Sequence, residues 1–285
     1  MLRIRIFFIV LFFLLFQGCS SHFFYPTQKT YRTPEYYGLK YDEVQFNSLD
    51  KTSLNAWRIY PEGESKGLVF VAHGNAQNLS AHFVSWIWLV KEGYEVFIFD
   101  YREYGKSEGQ SSIKGSVEDT KAALNYVEKH YKGDYFACGQ SLGGTLLLNA
   151  LDGRDNSRIK AVIIDSTFVG FSDIASYKMS QAWILWPFQW IPDLTLSDEY
   201  DAKDKLDNLN LPILFLHGSR DMIVSPNNSW QLYDVSHKPR EFWLLKDAKH
   251  TKVLDNKTIQ KDFLQFLLKD RTYYEENYSS MKIYD

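Results

Sequence analysis

Cysteine is scarce in this sequence, which contains only Cys19 and Cys138. The two could form one disulfide, but their contexts argue against it. Cys19 ends a signal-like segment, whereas Cys138 lies in an apolar run directly before a turn, which predicts a buried, unreactive thiol. No CxxC pair or Cys/His spacing indicates a structural metal. The sequence therefore predicts neither a disulfide nor a metal site.

Concentrated positive charge is also missing. The chain has 32 basic and 35 acidic residues and a net charge of −3, with no block of Lys or Arg. Nothing therefore indicates a nucleic-acid-binding face. With 45 % apolar and 24 % charged residues, the composition is that of an ordinary globular protein. Its 285 residues suit one large domain or two smaller ones.

The apolar run near the N-terminus is short. It covers Ile6–Phe16, and these eleven residues fall well below the roughly 20 that a membrane-spanning helix needs. Arg3 and Arg5 precede the run. A short basic region followed by a short apolar core is typical of a secretory signal peptide.

A cysteine that directly follows a glycine, Cys19, resembles the cleavage site of a bacterial lipoprotein signal. In that class the chain is cut before the cysteine, whose sulfur receives a diacylglycerol. Phe16 and Gln17 depart from the usual residues, and a plain signal peptide or an uncleaved anchor are the alternatives. We therefore expect residues 1–18 to be the signal and residues 19–40 to be an extended tether. With two or more acyl chains the protein would be stably anchored in the bacterial cell envelope.

From residue 41 onwards strands and helices alternate, while residues 271–285 form a tail without an assigned role. Apolar strands that alternate with helices predict an α/β fold with a mostly parallel sheet and helices on both faces. The predicted strands are Asp42–Asn47, Leu54–Ile59, Gly67–Ala72, Tyr94–Phe99, Tyr135–Cys138, Ala161–Ile164, Ile213–Leu216 and Glu241–Leu245.

One segment interrupts this alternation. Residues 168–210 lie between two predicted strands, and a plain crossover needs far fewer residues. Their middle reads AWILWPFQWIPDL. Because Pro187 and Pro192 break a continuous helix, an inserted cap is favoured over one long helix packed on the core.

Residues 139–143 read GQSLG and match the GxSxG pattern of a nucleophile elbow. Such a turn joins a strand to a helix so sharply that Ser141 adopts a strained backbone conformation. The flanking glycines have no side chain that would collide with the neighbouring strand and helix. The serine oxygen then projects at the carboxyl edge of the sheet. The motif follows a predicted strand and precedes a predicted helix, which is the context it requires.

A serine nucleophile needs a base and an acid that orients the base. His250 fits the base because it follows the last strand of the domain and precedes the last helix. Asp221 follows the strand at 213–216 and would hold the imidazole. Asp247 is its rival, and Asp221 could otherwise be a turn residue.

An oxyanion hole needs two backbone N–H donors. One is expected from Leu142, directly after the nucleophile. The other is expected from the loop that follows the third strand, where Gly74 allows close approach. We choose Asn75 as that donor, with Ala76 as the alternative.

The motifs HGNAQN, DYREYGKSEG, GQSLGG and LHGSRD, followed by the late His250, resemble the α/β-hydrolases of the bud-emergence type. These are related to monoacylglycerol-lipase-like and serine-aminopeptidase-like enzymes. Over residues 41–270 the resemblance implies the α/β-hydrolase fold, with eight strands and a small cap, and the chain order Ser, Asp, His. Gln77 and Glu103 stand where glycine is usual, and residues 165–168 read DSTF in place of ESPF, which puts the substrate in doubt.

The leading hypothesis is a serine hydrolase of carboxylic esters or thioesters with an acyl or lipid-like substrate near a membrane. It needs no cofactor, and Trp183, Trp186 and Trp190 would bind the acyl chain. A serine aminopeptidase is the alternative enzyme, with Glu103 or Asp165 to hold an amine. A non-catalytic envelope lipoprotein on the same fold is the alternative of another class. The oligomeric state stays open.

Overall fold

The computed structural model describes residues 23–269 and 278–285. The strands of this part of the chain are β1 Lys40–Asn47, β2 Ser53–Tyr60, β3 Leu68–Ala72, β4 Glu95–Phe99, β5 Tyr135–Gln140, β6 Ile159–Asp165, β7 Ile213–Gly218, β8 Arg240–Leu245 and β9 Ser279–Tyr284. They form one sheet in the order β1-β2-β4-β3-β5-β6-β7-β8-β9. β1, β2 and β4 pair antiparallel, and all other neighbours pair parallel. The predicted α/β class is confirmed.

The sheet has one strand more than the eight predicted. The tail at 271–285, for which the sequence indicates no element, contains β9, which pairs parallel with β8 from Arg240 opposite Ser279 to Leu245 opposite Tyr284. The exposure of β9 explains why its apolar pattern in the sequence is weak. As an edge strand it is exposed or half-buried along its whole length, so it lacks the continuous apolar run of the central strands.

The helices are α1 Leu79–His82, α2 Ile87–Lys91, α3 Ile113–His130, α4 Leu142–Leu151, α5 Phe171–Gln181, α6 Ile191–Thr195, α7 Ala202–Lys205, α8 Pro226–Val235 and α9 Lys257–Leu268. Two apolar cores cover the two faces of the sheet. α3, α4 and α8 contribute side chains to one core. The segment that contains α1 and α2, together with α9, contributes to the other. The parallel strands are therefore buried on both sides, which explains their unbroken apolar runs.

The expected insertion lies between β6 and β7. It contains α5, α6 and α7 joined by single 3-10 turns. Pro187 and Pro192 each stand in the first turn of a new short helix, where proline is tolerated because the missing N–H has no acceptor within the helix. The prolines therefore divide the segment as the sequence indicated. We call residues 168–210 the cap.

The expected signal peptide at 1–18 and the expected lipidation residue, Cys19, lie outside the described residues. Within the described ranges, no helix is both long enough and apolar enough to cross a bilayer. Cys138 is buried with a free thiol, and burial raises its pKa well above the usual value.

Candidate active site

Ser141 lies in the sharp turn between β5 and α4, with φ 54° and ψ −121°. A non-glycine residue with positive φ is strained, and such strain persists only where the surroundings hold it. The neighbouring glycines are required for space. A Cβ on Gly143 would lie 2.0 Å from the carbonyl oxygen of Ala72, and one on Gly139 would lie 2.6 Å from the Cα of Gly144. The turn has the strained geometry expected from the GxSxG pattern.

The three residues chosen as a catalytic group come together at the carboxyl edge of the sheet. His250 Nε2 is 2.9 Å from Ser141 Oγ, and His250 Nδ1 is 2.6 Å from Asp221 Oδ2. The side chain of Asp221 is fully buried, and that of His250 is 15 % exposed. A serine hydroxyl, an imidazole and a buried carboxylate in this order can transfer the serine proton to the imidazole.

Asp221 is held as a carboxylate by several donors. Its Oδ1 accepts the backbone N–H groups of Ile223 and Val224 at 2.8 and 2.9 Å. Its Oδ2 lies 3.1 Å from His217 Nε2. Burial by itself would raise the pKa of this carboxyl, but hydrogen bonds from His217 and His250 outweigh burial and lower the pKa well below its usual value. Asp221 therefore stays negative and can stabilise a positively charged imidazole beside it.

The competing side chains have other partners. The rival acid Asp247 forms an ion pair with Arg220 at 2.7 Å. His217 is buried, and its Nδ1 is 2.7 Å from Ser229 Oγ. No motif indicates the contact of His217 with Asp221, although the place of His217 at the end of β7 is a signal for it. Over the described parts of the chain, no three acidic, histidine or cysteine side chains are grouped as a metal site would require.

A buried carboxyl group connects the nucleophile turn to the histidine loop. Asp165 accepts hydrogen bonds from Gln140 Nε2 at 3.0 Å and from Ser166 Oγ at 2.9 Å. Ser166 Oγ in turn accepts the backbone N–H of Thr251, which follows His250. Burial raises the pKa of Asp165, which is 1 % exposed. Asp165 thus braces two loops and is closed to the amine of a substrate.

Two backbone N–H groups near the nucleophile are candidates for the oxyanion hole. As the first residue of α4, Leu142 has an N–H without an acceptor inside the helix. On the opposite loop, a Cβ added to Gly74 would be 3.5 Å from Ser141 Cβ, so this loop passes close to the nucleophile. The N–H of Ala76, the alternative second donor, is donated to Asn75 Oδ1 at 2.7 Å. This favours the N–H of Asn75 for the oxyanion hole.

Part of the segment expected to be a tether packs on the domain. Residues 23–31, which we call the N-terminal strap, lie along the loop that follows β3. Thr27 N–H donates to the carbonyl of Gln77 at 3.1 Å, and Asn78 Nδ2 donates to the carbonyl of Thr27 at 2.8 Å. Within the expected extended tether at 19–40, residues 23–31 are therefore attached to the domain by hydrogen bonds. The backbone groups of Tyr25, Thr27 and Tyr31 form these bonds with the domain.

The side chain of Asn75 joins the strap to the oxyanion loop. Its Oδ1 accepts the N–H of Tyr25 at 3.0 Å and the hydroxyl of Tyr104 at 2.7 Å. Its Nδ2 donates to the carbonyl of Phe23. Asn75 was chosen for its backbone N–H alone, and this side-chain role was not foreseen because it depends on a contact about fifty residues away in the chain.

The three tryptophans chosen to bind an acyl chain lie on the surface of the cap. Trp183, Trp186 and Trp190 are 84 %, 58 % and 55 % exposed. They do not line an enclosed pocket in this structure. An apolar group that contacts them must approach from outside the domain.

Sequence comparisons identify related chains. The family described as serine aminopeptidase, S33, matches residues 63–204. The chain is 31 % identical over 240 residues to the uncharacterized protein YfhR of Escherichia coli K12, covering 81 % of this chain and 79 % of that protein. It is 28 % identical over 202 residues to the protein bem46 of Schizosaccharomyces pombe, covering 68 % and 65 %.

Solved structures share the architecture. The Pyrococcus furiosus esterase Pf2001 superposes with a TM-score of 0.68 at 21 % identity, covering 86 % of this chain and 95 % of the esterase. At this identity the likeness establishes the fold and not the activity. It confirms the fold that the motifs implied.

Proposed function

We propose that this chain, which belongs to the α/β-hydrolase superfamily, is a serine hydrolase that cleaves carboxylic esters or thioesters. One observation carries the proposal, namely the continuous contact from Ser141 Oγ through the ring of His250 to Asp221 Oδ2, with distances of 2.9 and 2.6 Å. The contact lies at a strained elbow, beside the two candidate donors of the oxyanion hole. These are the parts that acyl transfer to serine needs.

The reaction follows from the positions of these groups. Ser141 Oγ attacks the acyl carbon while His250 Nε2 takes the hydroxyl proton. The N–H groups of Leu142 and Asn75 stabilise the oxyanion, and Asp221 stabilises the imidazolium. His250 then gives the proton to the departing alkoxide or thiolate, and the acyl group stays bound to Ser141 as an acyl-enzyme. Water, deprotonated by His250, attacks this acyl-enzyme and releases the acid, and the mechanism needs no metal or cofactor.

We also propose that the substrate is acyl or lipid-like and lies near a membrane. The signal-like sequence of residues 1–18, which is followed by Cys19, and the exposed apolar side chains of the cap support this part of the proposal. The protein would then be a lipoprotein of the bacterial cell envelope, held by acyl chains on Cys19.

Hydrolysis of p-nitrophenyl esters from acetate to palmitate by the wild type and by Ser141→Ala tests the proposal. We expect Ser141→Ala to lower kcat by about 10³-fold or more, because loss of the nucleophile removes the acyl-enzyme route. We also expect a fluorophosphonate probe to label the wild type only. The chain length of the best ester would separate a short-ester enzyme from a lipid or palmitoyl hydrolase.

The description of the matching family, serine aminopeptidase, supports a second candidate. Against it, Asp165 is buried, and Glu103 Oε2 accepts the N–H of Ser111 at 2.8 Å, so both acids considered for an amine have other partners. Cleavage of aminoacyl p-nitroanilides without cleavage of esters would favour the peptidase. A wild type without any cleavage or probe labelling would instead indicate a non-catalytic lipoprotein.

A further inference from the structure

The cap carries an exposed apolar surface. Residues 179–192 include no charged side chain. The large apolar side chains that they expose, which we call the cap patch, are Trp183, Ile184, Leu185, Trp186, Phe188 and Trp190. Soluble proteins rarely expose large groups of apolar side chains, and where they do, the surface usually binds a partner, a ligand or a membrane. Tryptophan in particular favours the boundary between water and lipid, because its ring is apolar and its N–H is polar.

The chain enters the described domain beside this cap. Phe23 is the first described residue, and its ring meets the ring of Phe171 edge to face, with centroids 5.4 Å apart. Phe171 begins α5, which packs against both α6 and the 3-10 turn Trp186–Phe188. α5 is only about 16 Å long, at 1.5 Å per residue. The cap patch therefore lies about the length of α5 away from Phe23, where the described chain begins.

The strap limits how far the domain can move from an anchor on Cys19. Residues 23–31 are hydrogen-bonded to the domain, and Cys19 is four residues in sequence from the first residue of this strap. Four residues reach at most roughly 14 Å when fully extended. An anchor at Cys19 thus holds Phe23, and with it the cap, close to the lipid headgroups.

The base of the cap is joined to the nucleophile turn. Thr167 Oγ1 donates to the carbonyl of Ser141 at 2.6 Å, and Thr145 Oγ1 donates to the carbonyl of Phe168 at 2.7 Å. The chain that leads into the cap is therefore hydrogen-bonded to the edge of the sheet that carries Ser141.

We propose that the cap patch docks into the interfacial region of the lipid bilayer that carries the Cys19 anchor. This inference rests on the lipid anchor of the proposed function. Three observations favour a lipid surface as the occupant of the cap patch. Cys19 is only four residues from the strap, the chain enters the domain beside the cap, and residues 179–192 carry no charge. Docking would turn the carboxyl edge of the sheet towards the bilayer, so that acyl groups enter the site from the membrane.

Quenching of tryptophan fluorescence by brominated acyl chains tests the docking. The full chain, purified from membranes, is placed in phosphatidylcholine vesicles with plain or brominated acyl chains. We expect brominated vesicles to remove up to about three eighths of the emission, because three of the eight tryptophans belong to the patch. The variant W183F/W186F/W190F keeps an apolar patch and should lose this quenching. Trp230→Phe, which changes a 41 % exposed tryptophan on α8, is the matched control and should retain it.

The outcomes separate docking from catalysis. An unquenched wild type, or quenching that survives in W183F/W186F/W190F, would overturn the docking. Hydrolysis of a soluble p-nitrophenyl ester is measured on the same wild-type sample. A quenched but inactive wild type would reject the hydrolase proposal and leave the docking in place, whereas an active but unquenched wild type would reject the docking alone.

Discussion

Replacing Asn75 by alanine tests whether the N-terminal strap supports the oxyanion loop. The change removes the side-chain hydrogen bonds to Tyr25, Ala76, Tyr104 and Phe23. Each such bond contributes roughly 0.5–1.5 kcal/mol. Because two of the four are exposed, we expect the free energy of unfolding to fall by about 2–3 kcal/mol.

The effect on activity should be separate from this loss of stability. The backbone N–H of residue 75 remains in Asn75→Ala, but its loop is no longer held. Complete loss of an oxyanion donor lowers kcat by about 10²–10³-fold, so a loosened donor should lower kcat by about tenfold to a hundredfold. KM should change little, since the donor acts on charge that develops in the transition state.

The assay is kcat and KM for p-nitrophenyl butyrate, well below the Tm of each variant, together with the Tm itself. Gln28→Ala is the control. It removes a bond from the strap to the carbonyl of Glu103 without touching the oxyanion loop, so we expect wild-type kcat. A kcat of Asn75→Ala within twofold of the wild type, or an equal loss in Gln28→Ala, would refute the reasoning.

Three further substitutions have definite expected outcomes. Asp221→Asn should lower kcat by about 10⁴-fold, because the amide cannot stabilise the imidazolium of His250; ester hydrolysis measures this. Gly143→Ala should prevent folding, since its Cβ would lie 2.0 Å from the carbonyl of Ala72; soluble yield and circular dichroism would reveal it, and a folded, active variant would contradict the geometry. Burial and neighbouring acids raise the pKa of Asp201 to about 6. The folded protein therefore loses stability as pH rises from about 4 to 6, and Asp201→Asn should be more stable than wild type by about 1–2 kcal/mol at pH 7, after allowance for solvent screening. This advantage should shrink towards pH 4.5 in thermal melts.

The residues chosen as the catalytic group were accessible from sequence because their positions follow from topology. Ser141 follows β5, Asp221 follows β7 and His250 follows β8, and the carboxyl ends of parallel strands meet at one edge. The strained turn at Ser141 was likewise accessible, because glycine spacing reports where side chains have no room.

Other parts of the site depend on contacts between segments distant in the chain. The strap carries no periodic apolar pattern, and its partners at Asn75 and Asn78 are about fifty residues away. The bond of His217 to Asp221 and the brace from Asp165 to the histidine loop also appear only when neighbouring strand ends are placed side by side. Contacts of this kind join segments that are distant in the chain, so no regular spacing of residues in the sequence predicts them.

By itself the sequence determined the α/β class, the strained serine turn, the division of the cap by its prolines and the order of the chemical groups. All of these follow from local periodicity, steric room at glycine and the limits on proline. Only the tertiary structure decided that residues 23–31 pack on the domain, that β9 completes the sheet and that the cap tryptophans face outwards. These depend on which distant surfaces meet, and that is set by packing of the whole chain rather than by any local pattern.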